Sequence, residues 1–212
     1  MKRWTLGVWL AVMTALTACS TNDGSLFAAR SKTVEYFRVF DIRTTASNDT
    51  MAAAASTGIE RNIQKVTLAT PIPTVKEIQA RPGRIALQQP DDKAGPAAAP
   101  RAPVCDGATW TAQANPEVSG GQNVNVMACL FPYKGGYHLD MYTVFTRADG
   151  GWMDYPRRLT GIVFGTPENW TEKTMLDVVR AIQARTSAQV VLVEAKPEIV
   201  GTPWLDAPAK GL

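Results

Sequence analysis

The sequence contains few of the residue types that most catalytic and metal sites require. Its 212 residues include one histidine and three cysteines. A single histidine excludes a metal centre built from several imidazoles, and three cysteines are too few for a disulfide scaffold that could replace a core. The formal net charge of +3 also excludes the strongly basic surface of a nucleic-acid binder. The composition is that of an ordinary globular protein.

Long apolar runs are scarce as well, and the main one lies at the start of the chain. From Leu6 to Ala18 there are 13 uncharged, mostly apolar residues behind Lys2 and Arg3. Such a run is too short for a hydrocarbon core of roughly 30 Å, which needs about 20 helical residues. A short apolar run behind basic residues is typical of an export signal. The alternative is a truncated membrane anchor with an isolated buried cysteine.

The run ends in Leu16-Thr17-Ala18-Cys19, which resembles the lipobox of bacterial lipoproteins. This resemblance implies cleavage before Cys19, acylation of its sulfur and of the new amino terminus, and anchorage in the lipid bilayer, which several acyl chains make stable. In Gram-negative lipoproteins an aspartate after the cysteine signals retention in the inner membrane. Ser20 occupies that position, so the resemblance implies the outer membrane, with the body facing the periplasm.

Removal of the export signal changes the charge of the chain. Residues 1–18 contain two cations, Lys2 and Arg3, and no acid. The mature body of 194 residues therefore has a formal side-chain charge of +1. The basicity of the full chain is thus no indication of an acidic partner.

Two cysteines, Cys105 and Cys129, remain after Cys19 is acylated. An oxidising periplasm permits disulfides, and an even remainder predicts that the two pair. The chain-entropy model gives such a bond about 3–4 kcal/mol of stabilisation, and the alternative is two separate free thiols. His138 is the only imidazole available for a zinc site, and the spacing is not that of a CxxC redox pair.

In the first half of the body, a β-branched and aromatic segment at 33–42 predicts a strand. A helix is predicted over 50–62, because apolar residues recur there at four-residue steps, and a short strand over 65–70. Gly58 weakens this helix by about 1 kcal/mol relative to alanine.

In the second half, alternating segments at 123–131 and 137–145 predict a hairpin, with Gly135-Gly136 in its turn. Helices are predicted between Pro156 and Gly165 and from Thr166 or Thr171 onward. The apolar run at 190–193 predicts a central strand that is covered on both faces.

These elements predict an α+β fold with a mainly antiparallel sheet and two or three helices packed on one face. One continuous domain and two small strand–helix–strand subdomains fit the order equally well. Residues 82–104 are predicted to be a Pro/Ala-rich linker that only spaces the segments on either side. The alternative is that this linker docks on a partner. The predicted divisions are the signal peptide 1–18, a tether 19–32, an N-terminal segment 33–81, the linker 82–104 and a C-terminal domain 105–212.

No catalytic, cofactor-binding or metal-binding residue is predicted. His138 lies two residues before Asp140 on the outer face of the predicted hairpin, which is typical of a surface histidine beside a surface acid. A triad would also need a serine placed by the fold, and the sequence contains no Gly-x-Ser-x-Gly elbow. A hydrolase that uses His138 and Asp140 is the enzymatic alternative.

The sequence therefore favours a non-enzymatic accessory or scaffold that binds another envelope protein. Its sheet edge, an aromatic patch or the linker would form the contact. The alternative is a lipid-anchored protein that binds a small ligand or a cell-wall fragment in an apolar pocket. That pocket would be lined by the tryptophans in the second half of the chain. The other role for these residues is to fill a core. They are Trp110, Trp152, Trp170 and Trp204.

Overall fold

The computed structural model describes residues 30–71, 78–88, 101–118, 122–149 and 167–198. The predictions for the export signal, Cys19, the helix at 156–165 and the middle of the linker lie outside these residues. Trp152 and Trp204 also lie outside them.

The described residues form two helices and nine strands, which confirms the predicted α+β fold with a mainly antiparallel sheet. The helices are α1 (Asn48–Glu60) and α2 (Pro167–Thr186). The strands are β1 (Arg30–Arg43), β2 (Thr67–Ala69), β3 (Ala86–Gln88), β4 (Ala102–Val104), β5 (Trp110–Ala114), β6 (Glu117–Val118), β7 (Gln122–Tyr133), β8 (Gly136–Asp149) and β9 (Gln189–Lys196).

Seven strands form the main sheet, in the order β2-β5-β7-β8-β1-β9, with β6 paired to β7. All of these pairings are antiparallel. The predicted hairpin is present as β7 and β8, whose register ends at the pair Tyr133 and Gly136. Strand β1 lies between β8 and β9. Residues from both predicted halves of the body therefore build a single sheet.

Both helices pack on one face of this sheet and enclose the larger core. Helix α1 begins after Ser47, whose side chain accepts a hydrogen bond from the Thr50 amide and so satisfies one free donor of the first turn. Trp110 is fully buried in this core, and its indole donates to Ser56 Oγ at 2.9 Å. Of the two roles considered for the tryptophans, lining a pocket and filling a core, Trp110 has the second.

The opposite face of the sheet, called here the outer face, is covered by residues 83–88 and 101–108. Strands β3 and β4 pair with each other there, and a disulfide joins Cys105 to Cys129 of β7, with Cα atoms 6.2 Å apart. The predicted cysteine pair is therefore present, and both ends of the predicted linker carry structure. Beneath this cover lies a second apolar cluster of Ile85, Ala108, Cys129, Phe131, Tyr142 and Val144.

The predicted central position of the strand at 190–193 is wrong. Strand β9 is the last strand of the sheet order and pairs only with β1 among the described residues. Val191 and Val193 are 47% and 53% exposed, whereas Val190 and Leu192 pack against the helix-side core. A short apolar run fits a buried central strand and an edge strand alike, because the run does not show how many neighbours the strand has.

Gly58 provides a test of how the two helices pack. Its helix propensity predicts that Gly58→Ala stabilises the protein by about 1 kcal/mol. However, a Cβ at this position would lie 2.5 Å from the Val178 Cα and 2.8 Å from the Asp177 carbonyl oxygen of α2. Because these are backbone atoms, the helices would have to move apart. We expect a net loss of about 2 kcal/mol, since overpacking costs up to about 3 kcal/mol.

Urea unfolding followed by circular dichroism measures this difference. Ala53→Gly on the exposed side of α1 is the reference, for which propensity alone predicts a loss of about 1 kcal/mol. A gain in stability for Gly58→Ala would contradict the close approach of α1 and α2.

Candidate functional site

A cluster of polar side chains lies on the outer face, where β1 and β8 pair. Asp41 of β1 stands opposite His138 of β8. The Asp41 carboxylate accepts hydrogen bonds from Tyr133 Oη at 2.5 Å and from Arg43 Nε at 3.1 Å. The His138 Nε2 atom lies 3.7 Å from the same carboxylate. One buried acid is therefore shared by a phenol, a guanidinium and an imidazole.

His138 is nearly enclosed in this cluster, with a side chain only 13% exposed. Its ring meets the Tyr133 ring edge to face, with centroids 5.7 Å apart. Burial lowers the pKa of His138, the Asp41 carboxylate raises it, and the Arg84 cation lowers it. The buried Nδ1 atom has no hydrogen-bond partner among the described residues. The net effect of burial and the two charges is a pKa of His138 below its ordinary value of 6.5, which favours the neutral imidazole at neutral pH.

Asp140 is not the surface acid that the sequence suggested. It has no exposed area and accepts hydrogen bonds from the Ile85 amide at 3.0 Å and from Arg84 Nε at 3.1 Å. Burial raises the pKa of Asp140, although both of these donors act in the opposite direction. Arg84 also donates to Glu194 at 2.6 Å. Asp140 thus fastens the covering segment to the sheet.

The two candidates for a hydrolytic pair, His138 and Asp140, share an outer face but no hydrogen bond. The imidazole Nε2 faces Asp41, whereas Asp140 Oδ2 accepts hydrogen bonds from Arg84 and from the Ile85 amide. The sequence interpretation missed Asp41 and Asp140 as buried acids. A signal was available, because each is a single acid inside an otherwise apolar strand segment, where an unpaired charge is costly.

A cleft of about 1200 Å³ opens beside this cluster, at the end of the sheet near the β7–β8 turn. Thr109, Gly136 and Tyr137 are the buried residues that line it. Tyr133 also lines the cleft while its hydroxyl donates to Asp41. The cleft and the polar cluster around Asp41 therefore share one side chain, that of Tyr133. The remaining lining residues are Thr44, Thr45, Ala46, Asn48, Ile78, Gln79, Gly107, Pro132 and Lys134.

Metal binding has no support in the part of the chain that the structure describes. No group of three or more histidine, cysteine, aspartate or glutamate side chains is placed there to hold an ion.

Neither described helix combines the length and the apolar character needed to cross a membrane.

Comparison with known proteins gives no further guide to this site. No family model, no curated protein and no solved structure matches this chain. The site is therefore interpreted from its own geometry.

Because His138 is the only histidine in the sequence, its titration can be followed separately and reports on the charges around it. We expect His138 to titrate below its ordinary value of 6.5. Asp41→Asn should lower the pKa of His138 further, because it removes the nearby negative charge. Arg84→Gln should raise it, because it removes a nearby cation. Nuclear magnetic resonance follows the imidazole carbon-bound protons, and only one residue contributes that signal.

Arg101→Gln is the matched control for this titration. Arg101 lies on the same face, but it pairs with Glu35 at 2.6 Å and is not among the groups that shift the pKa of His138. We expect it to leave the titration unchanged. A wild-type midpoint at or above 6.5, or an upward shift in Asp41→Asn, would contradict the described geometry.

Proposed function

We propose that this chain is a lipid-anchored, non-enzymatic accessory protein of the bacterial outer membrane that binds another envelope protein from the periplasmic side. The lipobox-like segment Leu16-Thr17-Ala18-Cys19 supports the anchor. Ser20, in place of an aspartate, supports the outer membrane. The disulfide between Cys105 and Cys129 suits an oxidising compartment.

The edge strand β9 is the observation that carries the binding proposal. An edge strand presents main-chain donors and acceptors to which an extended segment of another protein can add as a further strand. β9 is eight residues long and pairs with β1 alone among the described residues. Val191 and Val193 are both about half exposed, so an added strand would gain apolar contacts as well as hydrogen bonds.

The charges at β9 indicate what kind of segment fits. Glu194 accepts from Arg84 at 2.6 Å, and Lys196 Nζ lies 3.1 Å from the same carboxylate group. These hydrogen bonds lower the pKa of Glu194, so it stays ionised and paired. Because the charges of β9 already neutralise one another, the edge selects for an extended, apolar and uncharged segment.

The internal contacts of the polar residues also favour a binding role over the hydrolase alternative. Asp140, which that alternative requires beside His138, is bonded to Arg84 and Ile85. His138 itself faces Asp41. Both acids are thus used to hold strands and the covering segment together.

The anchor is tested by replacing the acylated residue. Cys19→Ser removes the thiol that the acyl chain would occupy, so we expect loss of radiolabelled palmitate and accumulation of the uncleaved chain. Cys105→Ser keeps Cys19 and is the control, and it should label like the wild type. Equal labelling of wild type and Cys19→Ser would exclude the lipoprotein assignment.

The binding edge is tested by a photo-crosslinking amino acid placed at Val191 in cells. The same amino acid at Thr57, exposed on α1, is the control for random collision. We expect one discrete crosslinked envelope protein from position 191 and none from position 57. Adding Val193→Lys to the crosslinker variant should reduce that product at least severalfold, because a charge on an edge strand opposes strand addition.

Two results would count against this proposal. Products of equal yield from positions 191 and 57 would mean that β9 is not the contact. A crosslink only to a second copy of this chain would identify β9 as a self-association edge instead of a partner site.

A further inference from the structure

The cleft at the end of the sheet lies apart from the β9 valines and has the size of a ligand site. Its volume of about 1200 Å³ exceeds the roughly 300–1000 Å³ of pockets that hold drug-sized ligands. Neither Val191 nor Val193 lines it. The cleft can therefore hold a molecule larger than a single metabolite without competing for the partner edge.

The lining of this cleft combines neutral hydrogen-bonding groups with a somewhat larger share of apolar surface. The hydroxyl and amide side chains come from Thr44, Thr45, Asn48, Gln79 and Thr109. The apolar and aromatic surface comes from Ala46, Ile78, Pro132, Tyr133 and Tyr137. A saccharide matches this mixture, because each ring has apolar C–H faces and a rim of hydroxyl groups.

Among the described residues that line the cleft, Lys134 alone carries a formal charge. No aspartate or glutamate is among the lining residues, and no described contact pairs the Lys134 ammonium with an acid. The backbone amide of Lys134 donates to the Gln79 carbonyl at 3.0 Å, and the residue is exposed where it lines the cleft. An unpaired ammonium beside neutral donors favours a ligand that carries an anionic group.

The aromatic part of the cleft is held in place before any ligand arrives. Tyr137 Oη lies 2.9 Å from the Ala46 carbonyl and 2.8 Å from Asn48 Oδ1. Tyr133 Oη is bonded to Asp41. Both hydroxyls are thus engaged inside the protein. Tyr137 is buried in the wall of the cleft, and the partly exposed Tyr133 is the aromatic residue that a ligand can contact. Such preorganisation reduces the entropy that binding would cost.

We propose that this cleft binds a saccharide that carries a carboxylate, with the carboxylate beside Lys134 and a sugar ring against Tyr133. The inference does not depend on the partner edge at β9. Two sources of such a ligand are a cell-wall glycan, whose acid is a lactyl ether, and a surface polysaccharide, whose acid is a uronic acid.

The test is isothermal titration calorimetry of the full chain in detergent with three probes. N-acetylmuramic acid and N-acetylglucosamine differ only by the lactyl carboxylate, and glucuronic acid represents the second source. We expect saturable binding of one or both acids and at least tenfold weaker binding of N-acetylglucosamine. The tighter acid identifies the source of the ligand.

Three variants separate the contributions to binding. Lys134→Gln should weaken binding of the preferred acid roughly tenfold, the usual effect of losing one charge-assisted hydrogen bond, and should leave N-acetylglucosamine unchanged. Lys65→Gln, at an exposed site beyond the far end of α1, is the matched control and should bind like the wild type. Thr45→Trp fills the cleft from an exposed position and should abolish binding.

The proposal is overturned if none of the three sugars binds saturably, or if Lys134→Gln binds the acids as tightly as the wild type does. Val193→Lys, the substitution that opposes crosslinking from position 191, distinguishes this outcome from a failure of the partner proposal. That variant changes β9 alone and should leave sugar binding intact even where it prevents crosslinking.

Discussion

The position of β1 between β8 and β9 is the constraint on which the rest of the structure depends. Its alternating side chains serve two different layers. Phe40 and Ile42 enter the core beneath the helices, while Asp41 faces the outer side of the sheet, opposite His138. Directly after β1, Thr44 and Thr45 line the cleft. The helix core, the polar cluster around Asp41, the edge strand β9 and the cleft are therefore all placed by one strand.

The outer face combines apolar packing with buried charge, and the covering segment holds the two together. Gly83 lies against the Phe131 ring, where even a Cβ would come within 2.7 Å. The next residue, Arg84, bridges Asp140 and Glu194. Removing one member of such a network leaves a buried charge without its partner, which costs several times more than an exposed ion pair contributes. The disulfide at Cys105 fastens the same cover at a second point.

The sequence predicts the strands and helices that follow from alternating and helically spaced apolar residues. It does not predict contacts between residues that are far apart in the chain. The β7–β8 hairpin follows from two alternating segments joined by a turn, and α1 follows from its apolar spacing after Ser47. The partner of Asp140 could not be predicted, because Arg84 lies 56 residues away, in a segment whose composition is that of a linker. The edge position of β9 was equally hidden, because it depends on the order of strands in the sheet.

The cleft owes its shape to the acid beneath it as much as to the residues that line it. Tyr133 and Asp41 are 92 positions apart in the chain, yet one hydrogen bond between them positions a ring of the cleft. Without that acceptor the Tyr133 hydroxyl would need another partner, and the ring would keep only its edge-to-face contact with His138 among the contacts described above. Asp41 in turn is held by the pairing of β1 with β8. The position of one cleft-lining side chain is therefore determined by the register of β1 against β8.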